Sequence, residues 1–204
     1  CDVGDPEQIT AVVAQTDARF GRIDGLVNCA GDTTRGDLES TDADEWDRLM
    51  RINLRSHFLF TQAVARVMKR DRTRGSIVNI ASVQAYGGLT FCLGYAVAKA
   101  GLVAMTKNNA AELGPHGIKV NAVNMGWTVT DNEMALQSAQ AGEGWVAAAD
   151  KSVPLGRISR PADIAKTVMF LLGDAYTTGA IIEMHPEYIH GMLGGAIGKA
   201  SDLS

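Results

Sequence analysis

Tyr95 and Lys99 stand four residues apart in Tyr95-Ala96-Val97-Ala98-Lys99, and Ser82 lies thirteen residues upstream of Tyr95, closing the apolar run Ser76-Ile-Val-Asn-Ile-Ala81. On a helix, residues four apart share a face, so the lysine ammonium is placed to act on the tyrosine phenol. A phenol with an ordinary pKa near ~10 is a poor acid/base at neutral pH, where a useful one titrates near the working pH. Lowering it by about three units takes roughly 4 kcal/mol of preferential stabilisation of the phenolate. A close cation supplies part of that. A serine hydroxyl aimed at the same reacting oxygen adds a second hydrogen bond. This trio suits proton transfer to or from a carbonyl or carbinol oxygen: reduction of a ketone or oxidation of an alcohol. Of the four tyrosines, only Tyr95 has a lysine four residues on. Taken alone, Ser82 fits a strand-end turn or a helix cap as well as a catalytic role.

These residues need elements to hold them, and the chain alternates strand and helix patterns as an α/β parallel sheet requires. Asp5-Pro6-Glu7-Gln8 combines a capping residue, a proline in the first turn and a glutamine three after the cap. It predicts a helix with Ile9, Val12, Val13 and Phe20 inward. A strand over 23–29 follows, then a polar loop over 32–40. A long helix runs from a cap at Thr41 or Asp42 to about 69, carrying Trp46, Leu49, Met50, Asn53, Leu54, Phe58 and Val64. The next strand covers 76–81, and the helix bearing Tyr95 and Lys99 covers 93–113, with Leu102, Met105 and Thr106 packing. Strands over 119–124 and 180–184 flank a helix over 161–172, which Ser159 caps ahead of Pro161. Between them, 127–153 holds Gly142 and Gly144 and places Met134, Leu136, Trp145 and Val146 on a helix whose apolar stripe fits core, subunit contact or substrate contact.

In this order the segments resemble the short-chain dehydrogenase/reductase family over nearly the whole chain. Asp2-Val3 is similar to the acidic residue and its follower that end the family's third strand and contact adenine. Asn28-Cys29-Ala30-Gly31 resembles its Asn-Asn-Ala-Gly turn, with a cysteine for the second asparagine. Asn53, Ser82, Tyr95 and Lys99 match the four residues of its catalytic tetrad. Asn121-Ala-Val-Asn-Met-Gly126 resembles its Asn-Pro-Gly segment, and Pro154-Leu-Gly-Arg157, Arg160-Pro-Ala-Asp-Ile-Ala165 and Thr178-Gly179 follow in family order.

The resemblance implies a nicotinamide cofactor, NAD or NADP, contacted by Asp2, Val3, Asn28, Ala30, Gly31, Tyr95, Lys99, Gly126 and Thr128. It implies that Tyr95 moves the proton and that Lys99 lowers its pKa, helped by the cationic nicotinamide ring, and holds the ribose. Ser82 then orients the substrate oxygen, and Asn53 disturbs its helix to hold a water. Thr128 and Thr130 also fit plain helix caps. The family's habits further imply a homodimer or homotetramer built through the long helices and the last strand. Two departures, Met125 for the usual proline and His185-Pro186-Glu187 for the usual Asp-Gly-Gly, bear on specificity.

No glycine-rich phosphate loop precedes Asp2, and the chain opens on Cys1. The resemblance therefore implies a Rossmann-type doubly wound parallel sheet with its first strands missing, a single domain over 1–204 incomplete at its N-terminus, with the strand over 23–29 as an exposed edge. A reading of another class is a truncated, inactive fold serving as an oligomerising or binding module. Retention of all four tetrad positions favours the enzyme; the absent phosphate loop favours the module for this polypeptide alone.

Composition is that of an ordinary globular chain: 204 residues, 46% hydrophobic and 21% charged. A net charge of −4 offers no basic face for nucleic acid or anionic membrane, and no apolar run is long enough to span a bilayer. Three unpaired cysteines, Cys1, Cys29 and Cys92, predict a reducing, cytoplasmic setting. The histidines at 57, 116, 185 and 190 are scattered, which predicts no metal site.

Overall fold

Burial on both faces explains the short continuous apolar runs of this chain, because a parallel sheet covered by helices on each side leaves few strand residues wet. The computed structural model describes residues 1–173 and 176–185. Its sheet contains β1 (Gly25–Asn28), β2 (Ser76–Ser82), β3 (Lys119–Met125) and β4 (Ile181–Met184), all parallel and ordered β1-β2-β3-β4. Every residue of β2 is buried. Register pairs Asn28 with Asn79, Ser82 with Met125, and Met125 with Met184. The Met125–Met184 pairing extends β3 one residue past the expected strand end. Among the described residues β1 pairs only with β2, and Val27 on it is 38% exposed, as expected of an edge. This strand is shorter than the expected 23–29; Ile23 is buried ahead of it in the core.

Alternation along the strands sorts the core into two layers. Ile77 and Val120 join Val13, Val64, Met68, Ala110 and Leu113 from α1 (Pro6–Phe20), α3 (Ser56–Asp71) and α4 (Leu93–Leu113). Val78, Ile80 and Val123 face Ile164, Val168 and Leu171 of α7 (Pro161–Leu172) on the opposite side. α1 starts as its cap predicts, with the Asp5 carboxylate accepting from the Glu7 and Gln8 amides. Phe20, expected inward, is 69% exposed: the last turn of α1 contributes nothing to the core, and the ring is faced instead by the Arg19 guanidinium at 5.4 Å.

The single helix expected over 42–69 is interrupted. α2 (Ala43–Met50) is capped by Asp42, whose side chain accepts from the Glu45 amide at 2.8 Å, and α2 passes into a π turn over Arg51–Arg55 before α3. There the Ser56 amide donates to the Arg51 carbonyl, five residues back. A π turn adds a residue to one turn and so shifts the phase of everything after it. Past the turn, on α3, Phe58 is 45% exposed.

Two further expectations change between β3 and α7. The segment over 127–153 forms two helices, α5 (Asp131–Ala141) and α6 (Trp145–Lys151), divided at Gly142 with φ +82°, a conformation that glycine adopts at little cost. Trp145 is buried and stacks on Trp127 with ring centroids 5.6 Å apart, in a small cluster with Val153 and Ile158. Ser159 does not cap α7: its backbone is engaged in a bridge to the segment after β3, with its amide donating to the Trp127 carbonyl and its own carbonyl accepting from Val129, both at 3.0 Å. Arg160 is the capping residue instead, and Asp163 reaches back to its amide at 3.0 Å.

Candidate active site

Parallel strands bring all their C-terminal ends to one edge of the sheet, and crevices at that edge are where such folds act chemically. Ser82 is the last residue of β2, and Tyr95 lies in the first turn of α4, after the short 3-10 turn over Val83–Tyr86. Ser82 is 6% exposed; its Oγ accepts from the Gln84 amide at 3.1 Å, the strand-end turn its type allows, and the same hydroxyl is near enough to the Tyr95 phenol to favour its ionised form. The turn and the phenol contact therefore coexist. Lys99 follows one turn along α4, its Nζ 5.5 Å from the Tyr95 ring centroid.

The electrostatics differ from expectation. Burial pushes the Tyr95 phenol above its ordinary value, and the nearby Ser82 hydroxyl opposes that shift without overcoming it. Lys99 does not depress it, because the ammonium is turned to the Ile80 carbonyl, to which it donates at 2.8 Å. Lys99 is itself only 3% exposed, and burial lowers its pKa to about 8. Beside it, burial first and the Lys99 charge second hold the His57 imidazole at about 3, so His57 is neutral at working pH.

Asn53 sits inside the π turn and is fully buried. Its Oδ1 accepts from the Asp32 amide at 3.0 Å, while Nδ2 donates to the Asp32 carbonyl at 2.9 Å and to the Leu49 carbonyl at 3.1 Å. The last bond occupies a carbonyl of the helical ladder, which gives the predicted disturbance of the helix a local cause. The first two clamp the peptide of Asp32, immediately after Gly31. Gly31 must be small: a Cβ there would stand 3.1 Å from Asn53 Oδ1 and 3.7 Å from Lys99 Nζ. Gly101 similarly lets α4 press on the helix carrying Asn53, since a Cβ there would meet Leu54 at 2.9 Å. Asn53→Ala is expected to lower stability by about 2 kcal/mol, by stranding buried amide and carbonyl groups of Asp32. Urea denaturation checks this; an unchanged midpoint would show that the clamp is not stabilising.

Ser82, Tyr95, Lys99, Asn53 and Gly31 thus converge at one corner. The other expected contacts are placed as follows. Asn28 points its side chain into the sheet, donating to Asn79 at 2.8 Å and Thr61 at 3.2 Å, while Cys29 and Ala30 are exposed beyond it. Asp2 and Val3 are not in a strand. The Asp2 carboxylate accepts from the Gly4 amide at 2.7 Å in a turn lying against Arg51 and Arg55 of the π turn. Gly126 donates its amide to the Met184 carbonyl at 2.9 Å, and Thr128 is buried with its Oγ1 donating to the Gly126 carbonyl at 3.0 Å. Thr130 takes the capping role, on α5. His185 lies 2.9 Å from a Glu183 carboxylate oxygen; Pro186, Glu187 and His190 lie outside the described residues. Among the described residues no group of three or more His, Cys, Asp or Glu side chains is placed to hold a metal ion.

The corner fits the sugar of a nicotinamide nucleotide. The Lys99 ammonium has three N–H donors and, among the described residues, one hydrogen-bond partner, next to a glycine that leaves it clearance. Sequence reasoning missed Asp32, His57 and the Ile80 carbonyl. Asp32 and Ile80 act through the backbone, on which residue type leaves no mark; His57 was visible only as one of four scattered histidines.

Residues 1–185 match a family model described as enoyl-(acyl carrier protein) reductase. Trans-4-hydroxycyclohexanecarboxylate dehydrogenase of Sinomonas cyclohexanicum is 39% identical over 181 residues, 88% of this chain and 65% of that protein. The chain therefore spans about two thirds of the length of that relative. NADP-bound ElxO superposes with a TM-score of 0.83 at 26% identity, covering 93% of this chain and 76% of the other. NAD+-bound xylitol dehydrogenase superposes with a TM-score of 0.82 at 30% identity, covering 91% and 76%.

Proposed function

Because the chain belongs to the short-chain dehydrogenase/reductase family, we propose that it carries the catalytic corner of an NAD- or NADP-dependent oxidoreductase that interconverts a secondary alcohol and a ketone. The observation that carries this reading is the convergence of two hydroxyls, the buried Ser82 at the end of β2 and Tyr95 in the first turn of α4, with the buried Lys99 ammonium 5.5 Å from the Tyr95 ring. NAD or NADP, when bound, supplies or accepts the hydride. Ser82 orients the substrate oxygen, and Tyr95 gives that oxygen its proton in reduction and takes it back in oxidation. Lys99 holds the ribose. Asn53 is a positioning residue: through the Asp32 peptide it fixes the turn after Gly31 and so the wall facing Lys99. The remaining cofactor contacts in this reading are Asp2, Val3, Asn28, Ala30, Gly31, Gly126 and Thr128.

Solved relatives with NADP in one case and NAD+ in the other support carrying both cofactors into the reading. Residues 1–204 are read as one domain, working in the reducing cytoplasm, as its free cysteines favour. Among the described residues no helix is long and apolar enough to cross a membrane. Exposed Phe58 on α3, Val97 on α4, and Met169 and Phe170 on α7 support a homodimer or homotetramer built through these helices and β4. A monomer by light scattering at micromolar concentration would reject it.

The chemistry is tested by mixing the full chain with NAD+ or NADP+ and a panel of secondary alcohols, and with NADH or NADPH and the matching ketones. Reduced nicotinamide absorbance is expected to change with at least one pair. Ser82→Ala is expected to slow that reaction about 10²-fold. No change with any pair would overturn the reading.

A further inference from the structure

α5 contributes no residue to any core cluster, and none of its eleven residues is buried. A helix held by so little apolar contact depends on its polar ties. Within its own segment, Glu133 Oε1 accepts from Trp127 Nε1 and from Gln137 Nε2, both at 2.8 Å. From outside the segment over 127–142, Arg35 supplies the only side-chain hydrogen bond and the only ion pair to α5 among the described residues. Its Nη1 donates to Gln140 Oε1 at 3.1 Å, and its Nη2 lies 3.9 Å from Glu133 Oε1.

Arg35 is itself well anchored. Its guanidinium carbon lies 5.0 Å from the centroid of the Phe91 ring, a cation–π contact that orients the planar fork. The neighbouring Gly36 is stitched to the chain just ahead of Tyr95: its amide donates to the Phe91 carbonyl at 3.0 Å, and its carbonyl accepts from the Leu93 amide at 3.1 Å. The loop over 32–40, the approach to α4 and the far side of α5 therefore meet at one guanidinium. Gly36 also pairs with Cys92 in a parallel bridge, and Cys92 directly precedes α4, whose first turn carries Tyr95, so the junction borders the phenol.

We infer that Arg35 is a positioning residue that latches α5 beside Tyr95, through Gln140 and Glu133, and so controls how readily substrate reaches the phenol. The latch is set by geometry in the chain itself; only its consequence for substrate rests on the proposed oxidoreductase function. A partly exposed ion pair at 3.9 Å and one amide hydrogen bond make a latch that opens often, as an entrance requires, and that salt weakens.

Hydrogen–deuterium exchange on the full chain reads the latch without turnover. Arg35→Met, which keeps the stem over Phe91 and removes the fork, is expected to speed exchange of the peptide over 131–141 about tenfold while the β2 and β3 peptides are unchanged. Gln140→Ala, at an exposed position that the fold does not need, is expected to produce a smaller increase in the same peptide. Raising salt should speed this exchange in the parent and not in Arg35→Met. If α5 exchanges no faster in either variant, or if β2 and β3 accelerate equally, the latch is refuted whatever the enzyme assay shows. In the active enzyme Arg35→Met is expected to raise KM severalfold with kcat nearly unchanged; faster α5 exchange with KM unaltered would overturn the link to substrate entry.

Discussion

Tyr95→Phe is expected to lower turnover by about 10²–10⁴-fold while leaving cofactor affinity nearly unchanged. The substitution removes one oxygen and its proton and keeps the ring, whose centroid stands 5.5 Å from the Lys99 ammonium, so the environment of the lysine is preserved. Ser82 Oγ keeps its bond from the Gln84 amide, so the strand-end turn beside the ring is preserved. Initial rates and fluorescence titration with NADH and NADPH separate the two effects. A variant retaining more than about a tenth of the parent rate would remove Tyr95 from the acid/base role. The raised phenol pKa sharpens the expectation. A phenol held protonated by burial is ready to donate, and the assistance it needs must come from positive charge brought close to it. Oxidation of an alcohol, which needs the phenolate, should therefore gain rate as pH rises.

What the sequence showed of this site was residue type and order along the chain. Ser82, Tyr95 and Lys99 were legible because strand end and helix face are periodic features, and two elements that neighbour each other in sequence carry all three. Asn53 was legible only by resemblance. Its place inside a π turn depends on the Leu49 carbonyl being taken by a side chain, a competition between partners that composition does not display. The same turn divides the helix read through 42–69 and was hidden, because a pattern of apolar positions assumes one unbroken phase. Ser159 misled for a related reason. Its type favours a cap, yet its backbone was already committed to the bridge beside Thr128, a long-range pairing to which a local pattern is blind. The direction of the Tyr95 shift was missed because proximity along a helix says nothing about where a four-carbon stem points its charge. Lys99 found a carbonyl instead of the phenol.

That buried ammonium should make the fold weaker than it would be without it. Lys99→Met is expected to stabilise the chain by about 2 kcal/mol at pH 7 while abolishing turnover and cofactor binding. At ~1.36 kcal/mol per unit, lowering the lysine from 10.5 to about 8 corresponds to about 3 kcal/mol of penalty on the charged form, and the lost bond to the Ile80 carbonyl takes back about 1. Below pH 8 the lysine is protonated in both the folded and unfolded chain, so the whole penalty falls on the parent. Between 8 and 10.5 the unfolded chain holds a proton that the folded chain has shed, and parent stability rises with pH through that window. Methionine does not titrate, so the advantage of the variant is largest below pH 8, vanishes within the window and becomes a deficit of about 1 kcal/mol near pH 10.5. Urea denaturation of both proteins at pH 7 and near pH 10.5 measures this. A variant less stable than the parent at pH 7, or an advantage that does not shrink with pH, would show that Lys99 is not held under strain. Loss of activity together with gained stability would mark the lysine as a residue kept for chemistry against the interest of the fold, the balance expected where a charged group is buried to meet a ligand.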